Sequence, residues 1–504
     1  MSTSFRRPAA LVALISAAAS ASAASASVTP VTIALSGTAT PAGGTFSAFT
    51  NPVLNASGEV AFAASVAGGT STSGIFTGTS AGTQAIALQG TPAPAGGNFG
   101  SLYTSSTTTS LTLNSGGTLA FQAPLTSGTS TSGIFSGTLA ATLGAVALQG
   151  TASPGGGTYN AFGATGINAA ISPVLNSSQI AFTSTLSGNG TATAGIFVGT
   201  TGALQTAALL GQPAPGTSYN YATALTQPVV NASGQVSFIS LVNGGYGLFA
   251  GAPGSVQLVA LQGTAAPGGA GTYGTISTSP SINNNGQVAY YAALTGGSGN
   301  YGVFAGAPGS VQPVALVGGV APGTGGETYG GVTNVTINGA GQVAFTASSL
   351  TGGSATSGLF LGAPGSVQAV ALTGGTAPDG ETYTSFGSTL LSNDIGDVAF
   401  LVNVSGGGTE ELVAGTPGSL TELVKEGDIV DGMTVNGFGL LTGSGGQDGK
   451  GIDFNDTDEV AYRLTFTNGS SGVFESMVPE PASLGLFALS AIPLLRRRRR
   501  IQPR

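Results

Sequence analysis

The phrase Asn-x-x-Gly-x-x-Ala-Phe returns eight times along this chain of 504 residues, and that return limits what the chain can fold into. It reads Asn55-Ala56-Ser57-Gly58-Glu59-Val60-Ala61-Phe62, and near-copies occupy 114–121, 231–238, 283–290, 338–345 and 393–400. The copy at 176–182 is one residue short and lacks the glycine, and the copy at 455–462 carries Asp458 in its place. Successive copies stand about 52 to 62 residues apart, long enough for one propeller blade per repeat and longer than the usual coil of a parallel β-helix.

Each copy keeps the same flanking parts. An apolar step such as Pro52-Val53-Leu54 precedes the asparagine, and an apolar run from Val60 follows it. A Gly/Ser/Thr loop then leads to a Gly-Ile-Phe phrase, as at Gly74-Ile75-Phe76, and a turn leads on to a phrase such as Ile86-Ala87-Leu88. These four parts read as short antiparallel strands A to D. Asn-x-x-Gly is the A–B turn, because asparagine bonds to its own backbone and glycine accepts positive φ. Pro-Gly, as in Ala252-Pro253-Gly254-Ser255, serves the C–D turn.

Strand phase states how such a ring closes. A D-type strand, Val31-Thr32-Ile33-Ala34-Leu35, precedes the first A strand, and Gly472-Val473-Phe474 has no D strand after it. The N-terminal strand is therefore expected to complete the eighth blade. Closure also hides sheet edges that an open array would expose. The expected fold is all-β, an eight-bladed propeller of four-stranded antiparallel blades, with an open β-solenoid as the alternative.

Composition narrows the chemistry. The chain has no Cys, His or Trp, so disulfides, the commonest general base and the commonest transition-metal ligand are all excluded. No Asp, Glu, Lys or Arg occurs between Glu59 and Glu327. The basic stripe of a nucleic-acid binder is missing. No enzyme and no cofactor are expected. With so few titratable groups in the first half, any acid sensitivity is expected to begin in the last three repeats.

The ends differ from the body. Arg6-Arg7, the short apolar run from Pro8 to Ala19 and the small-residue sites 21–23 and 24–26 have the form of a secretory signal peptide. At the other end stand Pro479-Glu480-Pro481, an apolar stretch over 484–495, and the basic run Arg496, Arg497, Arg498, Arg499 and Arg500. Twelve helical residues span about 18 Å, short of a bilayer core of about 30 Å. The chain divides into 1–26 (signal peptide), 27–475 (repeats) and 476–504 (tail).

The tail resembles the PEP-CTERM sorting signal. That resemblance implies an exosortase-type membrane processing enzyme as a partner, transient membrane anchoring through the C-terminal segment, and delivery to the cell surface or extracellular matrix. The repeats resemble the tandem NxxGxxAF-repeat proteins of bacteria, which occur with alternative C-terminal anchors. These readings point to a non-catalytic surface or matrix-associated structural or interaction protein. A carbohydrate-binding propeller is the alternative, with exopolysaccharide as its partner class.

Four features are weighed as sites. Asp448, Lys450, Asp453, Asn455, Asp456, Asp458 and Glu459 form an oxygen-rich segment for Ca²⁺, but without an EF-hand pattern. Glu410, Glu411, Glu422, Glu426, Asp428 and Asp431 offer carboxylate pairs of the kind used in glycoside hydrolysis, with solvated loops as the plainer account. Tyr159, Tyr219, Tyr273, Tyr329 and Tyr383 follow the Pro/Gly-rich D–A connections, where they either present rings for sugar binding or pack between blades. The glycines of 437–443 only loosely match a nucleotide loop, and the Asn55-Ala56-Ser57 sequon is already explained by its turn.

Overall fold

The computed structural model describes residues 28–479, apart from 95, 104, 106–110, 164–172, 189, 191, 227, 243–244, 278, 298, 407–408, 442 and 445–451. The signal peptide, Glu480, Pro481 and the arginine run lie outside the described residues. Eight antiparallel sheets follow one another in chain order as the blades of a β-propeller. In blade 1, strand B is Val60–Ala67, C is Ser73–Thr79 and D is Gly82–Leu88. The described residues contain no α-helix, only two single-turn 3₁₀ segments.

Strand A differs from the simple four-strand plan. In blade 1 it is split into Thr45–Phe49 and Val53–Leu54, both paired with strand B. Pro52, which lacks the N–H that a continuous ladder needs, stands in the gap; blade 2 is divided too, as Asn98–Phe99 and Leu111–Leu113, without a proline at that place. Thr50 covers the gap: its N–H donates to Ala63 O at 2.9 Å, and its Oγ1 accepts from Ala63 N at 3.0 Å. Pro173, Pro228 and Pro280 stand at the same place in blades 3, 4 and 5, whose A strands are also split. Blades 6 and 7 have Val335 and Leu390 there, and their A strands run unbroken as Thr328–Ile337 and Tyr383–Ser392.

An aromatic set from strands A, B and C fills most blades. In blade 6, Tyr329 meets Phe360 edge-on at 5.1 Å, and Phe360 stacks on Phe345 at 5.6 Å. Burying each such ring contributes about 1.5–3 kcal/mol. The Gly of Gly-Ile-Phe makes this possible. A Cβ on Gly302 would lie 2.7 Å from Leu316 Cδ2 and 3.0 Å from the Phe304 ring. The hydrophobic clusters run across blade boundaries: Ile134 and Val146 of blade 2 pack with Tyr159 and Phe182 of blade 3.

The ring closes as strand phase requires. Val31–Leu35 pairs antiparallel with Ser471–Met477, matching Val31 to Glu475 and Leu35 to Gly472. Ser36 Oγ adds a bond to Ser471 O at 2.7 Å. Ile33 and Ala34 then pack against Phe46 and Phe62 of blade 1, so the closing strand joins the first blade to the last. Blade 8 also departs from the repeat: Gly443–Ser444 pairs in parallel with strand A of blade 7.

Candidate functional site

The axis of the ring is built from the repeated turn. In blade 5, Asn283 Oδ1 accepts from Asn285 N at 3.1 Å and Gln287 N at 3.0 Å, which folds the turn. Its Nδ2 donates to Gln287 Oε1 at 2.8 Å and to Asn338 O of blade 6 at 3.0 Å. The same interblade bond runs from Asn231 to Asn283, Asn338 to Asn393, Asn393 to Asn455 and Asn455 to Asn55, at 2.9–3.2 Å. In blade 2, Asn114 donates to Ser177 O instead, because the third copy is one residue short. The motif glycine is fixed twice over: Gly286 has φ +74°, and a Cβ on it would lie 2.8 Å from Gln235 Oε1 of blade 4. Where glycine is missing, Ser177 and Asp458 keep positive φ at 52° and 61°.

This circuit encloses a cavity of about 230 Å³ lined by Leu54, Asn55, Leu113, Asn114, Asn176 and Asn455 among others. That is below the roughly 300–1,000 Å³ of small-molecule sites. The motif asparagines were legible as turn formers. Their donation to the next blade was not, because it depends on how neighbouring blades are set.

The other sequence candidates are largely absorbed by packing. Tyr159, Tyr273, Tyr329 and Tyr383 are buried among the phenylalanines, so the interblade reading holds for them; Tyr219 is exposed. Burial pushes the phenols of Tyr159, Tyr329 and Tyr383 up. Asp453 is fully buried and accepts the Leu441 N–H, and Asp456 Oδ1 accepts from Asp394 N at 2.7 Å. Glu459 Oε2 accepts from Asn455 Nδ2 at 2.6 Å. Asp448 and Lys450 lie outside the described residues. Thr32 Oγ1 donates to Asp431 Oδ2 at 2.6 Å, and Glu410 N to Glu426 Oε2 at 3.1 Å. Residues 437–439 end a strand, Met433–Gly439, that pairs with strand B of blade 8; the strand-to-helix context of a nucleotide loop is absent from the described residues. Asn55 is 2% exposed, held by its turn as the sequence implied.

One group of charges does converge. Lys425 Nζ lies 2.7 Å from Asp379 Oδ2, 2.9 Å from Glu381 Oε1 and 3.1 Å from Glu411 Oε1. Glu422 stands beside them. Asp379 and Glu381 were missed in the sequence. Glu411 occupies the place held by glycine in the Gly-Ile-Phe phrase of other copies, a departure visible once the repeats are aligned.

A family model described as a family of unknown function, DUF7453, matches residues 16–245 and again 242–485. The chain belongs to that family. No curated protein matches it. Among solved structures it is similar to a puromycin-hydrolyzing peptidase of Mycobacterium tuberculosis, at 11% identity and TM-score 0.38, over 90% of this chain and 63% of that one. It is similar to prolyl oligopeptidase B of Galerina marginata at 10% and 0.41, over 85% and 55%. For the Dos1 propeller the values are 10% and 0.39, over 86% and 93%. The chain thus spans less than two thirds of the two peptidases' length. None of these likenesses carries an inference about chemistry.

In this DUF7453 protein the carboxyl pairs of blades 7 and 8 add a pH response of their own. Asp397 is 5% exposed, and burial with the adjacent Asp458 carboxyl pushes it up to about 7. Burial and Glu459 likewise push Glu475 up to about 7. Asp394 is raised by burial and by Asp456, against the pull of the Gly339 N–H. Folded-state values above the unfolded ones mean that the folded chain holds more protons through this window. The stability these groups contribute is complete below about pH 4 and is lost as pH rises through about 7. We predict that the melting temperature falls by several degrees between about pH 5 and about pH 8. Asp397→Asn should flatten the decline, and a midpoint that rises over this range would contradict the account.

Proposed function

We propose that this chain is an exported, non-catalytic propeller that works as a surface or matrix-associated structural and interaction module. The observation that carries the reading is the use of its repeated polar groups. The motif amides that face the axis, where a propeller ligand would enter, are spent on turns and interblade bonds. The aromatic side chains after the D–A connections, Tyr219 excepted, fill the space between blades. Absence of His and Cys agrees with a scaffold role.

Export rests on the ends of the sequence, and delivery by an exosortase-type membrane enzyme rests on Pro479, Glu480, Pro481 and the arginine run. Among the described residues no helix is long and apolar enough to cross a membrane. Mass spectrometry of protein extracted from the cell surface tests the proposal. The expected mature form begins near Ser25 or Ser27 and lacks Arg496 to Arg500. Surface protein that retains the arginine run would remove the case for sorting.

A further inference from the structure

Blade 7 breaks the apolar plan of the ring in one place. Strands C and D pair Gly74 with Leu88 in blade 1, and the matching pair in blade 7 is Glu411 with Lys425. Phe76 pairs with Ala85, and the matching pair is Val413 with Glu422. A glycine, a phenylalanine, a leucine and an alanine are thus replaced by Glu, Val, Lys and Glu. The D–A connection adds Asp379 and Glu381 over the same spot. Three carboxyl groups therefore meet one ammonium, with Glu422 beside them, in a place where other blades pack an aromatic pair.

We propose that Asp379, Glu411 and Glu422 form a binding site for a divalent cation of the Ca²⁺ class. One carboxylate oxygen from each lies within 4.8 Å of the others, the greatest separation that one ion allows when its bonds to oxygen are about 2.4 Å. Glu411 is fully buried, and its Oε2 has no hydrogen-bond partner, while Oε1 is paired with Lys425. Such a buried carboxylate oxygen needs a proton, a donor or a metal. Glu422 receives no hydrogen bond from the described residues, leaving a second carboxylate for the ion. Lys425 is the one cation beside these four carboxyl groups among the described residues, so a divalent ion still enters a site rich in acidic oxygens.

Oxygen donors without His or Cys suit a hard cation rather than a transition metal. A groove of about 390 Å³, lined by Val28, Pro30, Asp379, Glu422 and Asp428, leads to the site and leaves outer coordination positions to solvent. Because residues 28–30 form one wall, the bound ion would also hold the entry to the ring-closing strand.

Terbium luminescence excited through tyrosine tests this on the full chain, which has no Trp to compete. Tyr383 lies close enough to Glu411 and Asp379 to feel their charges and would act as the donor. The expected result is a saturable signal at one equivalent, displaced by Ca²⁺ with an affinity of about 10⁻⁴ to 10⁻³ M. Glu422→Gln, on a partly exposed residue that can change without unfolding the blade, should weaken it at least about tenfold, and Glu411→Gln should abolish it. Lys425→Met should tighten binding by removing the competing ammonium. A signal lost in Asp456→Asn but kept in Glu422→Gln would move the ion to the axis and overturn the assignment. So would the absence of any saturable signal.

Discussion

Deleting residues 27–37 is expected to destabilise the protein by more than about 4 kcal/mol, beyond the usual range for a local change. A linear repeat array should barely register the loss of one terminal strand, because its stability is close to a sum over neighbours. Here the strand does two things at once. It pairs with 471–477, and it carries Ile33 and Ala34 into the cluster that includes Phe46, Phe62 and Val473. Its removal exposes the ladder edge of Ser471–Met477 and uncouples blade 8 from blade 1 on that side. Appending Val31-Thr32-Ile33-Ala34-Leu35 through a short turn after Val478, in place of the tail, should restore most of the loss. Equal denaturant midpoints for the deleted and intact chains would show that the closing strand contributes nothing.

Asn283→Ala is expected to cost about 3–5 kcal/mol, a large effect for a residue in a turn. Asn283 has no exposed surface, and its amide makes four hydrogen bonds, two in the turn and two from Nδ2. Alanine leaves the N–H groups of Asn285 and Gln287 and the carbonyl of Asn338 short of a partner. Asn283→Asp separates the two roles. It keeps an acceptor for the turn but faces Asn338 O and Gln287 Oε1 with a carboxylate in place of two donors. Its loss should therefore match or exceed that of alanine near pH 7 and shrink near about pH 4, as the buried carboxyl takes up a proton. Asn285→Ala, which removes one exposed bond to Gly339 O, should cost less than about 1 kcal/mol. Chemical denaturation of the three variants checks this. A cost for Asn283→Ala no larger than for Asn285→Ala would confine the asparagine to the turn.

The ring was legible in the sequence because its parts are local. Asn-x-x-Gly names a turn, Gly-Ile-Phe names a crowded strand, and the unmatched D strand at Val31 names the closure. The divided A strands of blades 1, 3, 4 and 5 were legible in principle from Pro52, Pro173, Pro228 and Pro280, which remove a ladder donor three residues before the asparagine. The interblade amide circuit and the reach of Asp379 and Glu381 to Lys425 were not, because they join residues about 44 to 62 positions apart or more. The sign of the response from the carboxyl pairs was not legible for a related reason. Counting carboxylates locates titration, but its sign depends on whether each meets a donor or another carboxyl, as Asp397 meets Asp458.

Where the described chain enters and leaves the ring sets how it can be held. Strand D of blade 8 begins at Val31 opposite Glu475, and Val478 N donates to Asp458 O at 2.7 Å, beside the last asparagine turn. Residues 478–479 therefore leave the ring on the face of the A–B turns of blade 8, while residues 28–30 lie against the D–A connection that follows blade 7. A grip on the chain beyond residue 479 is an off-centre hinge under that face. The opposite face, made by the D–A and B–C loops, carries the exposed rings of Tyr219 and Tyr301. In a ring of eight, blade 4 stands opposite the blade from which the described chain leaves.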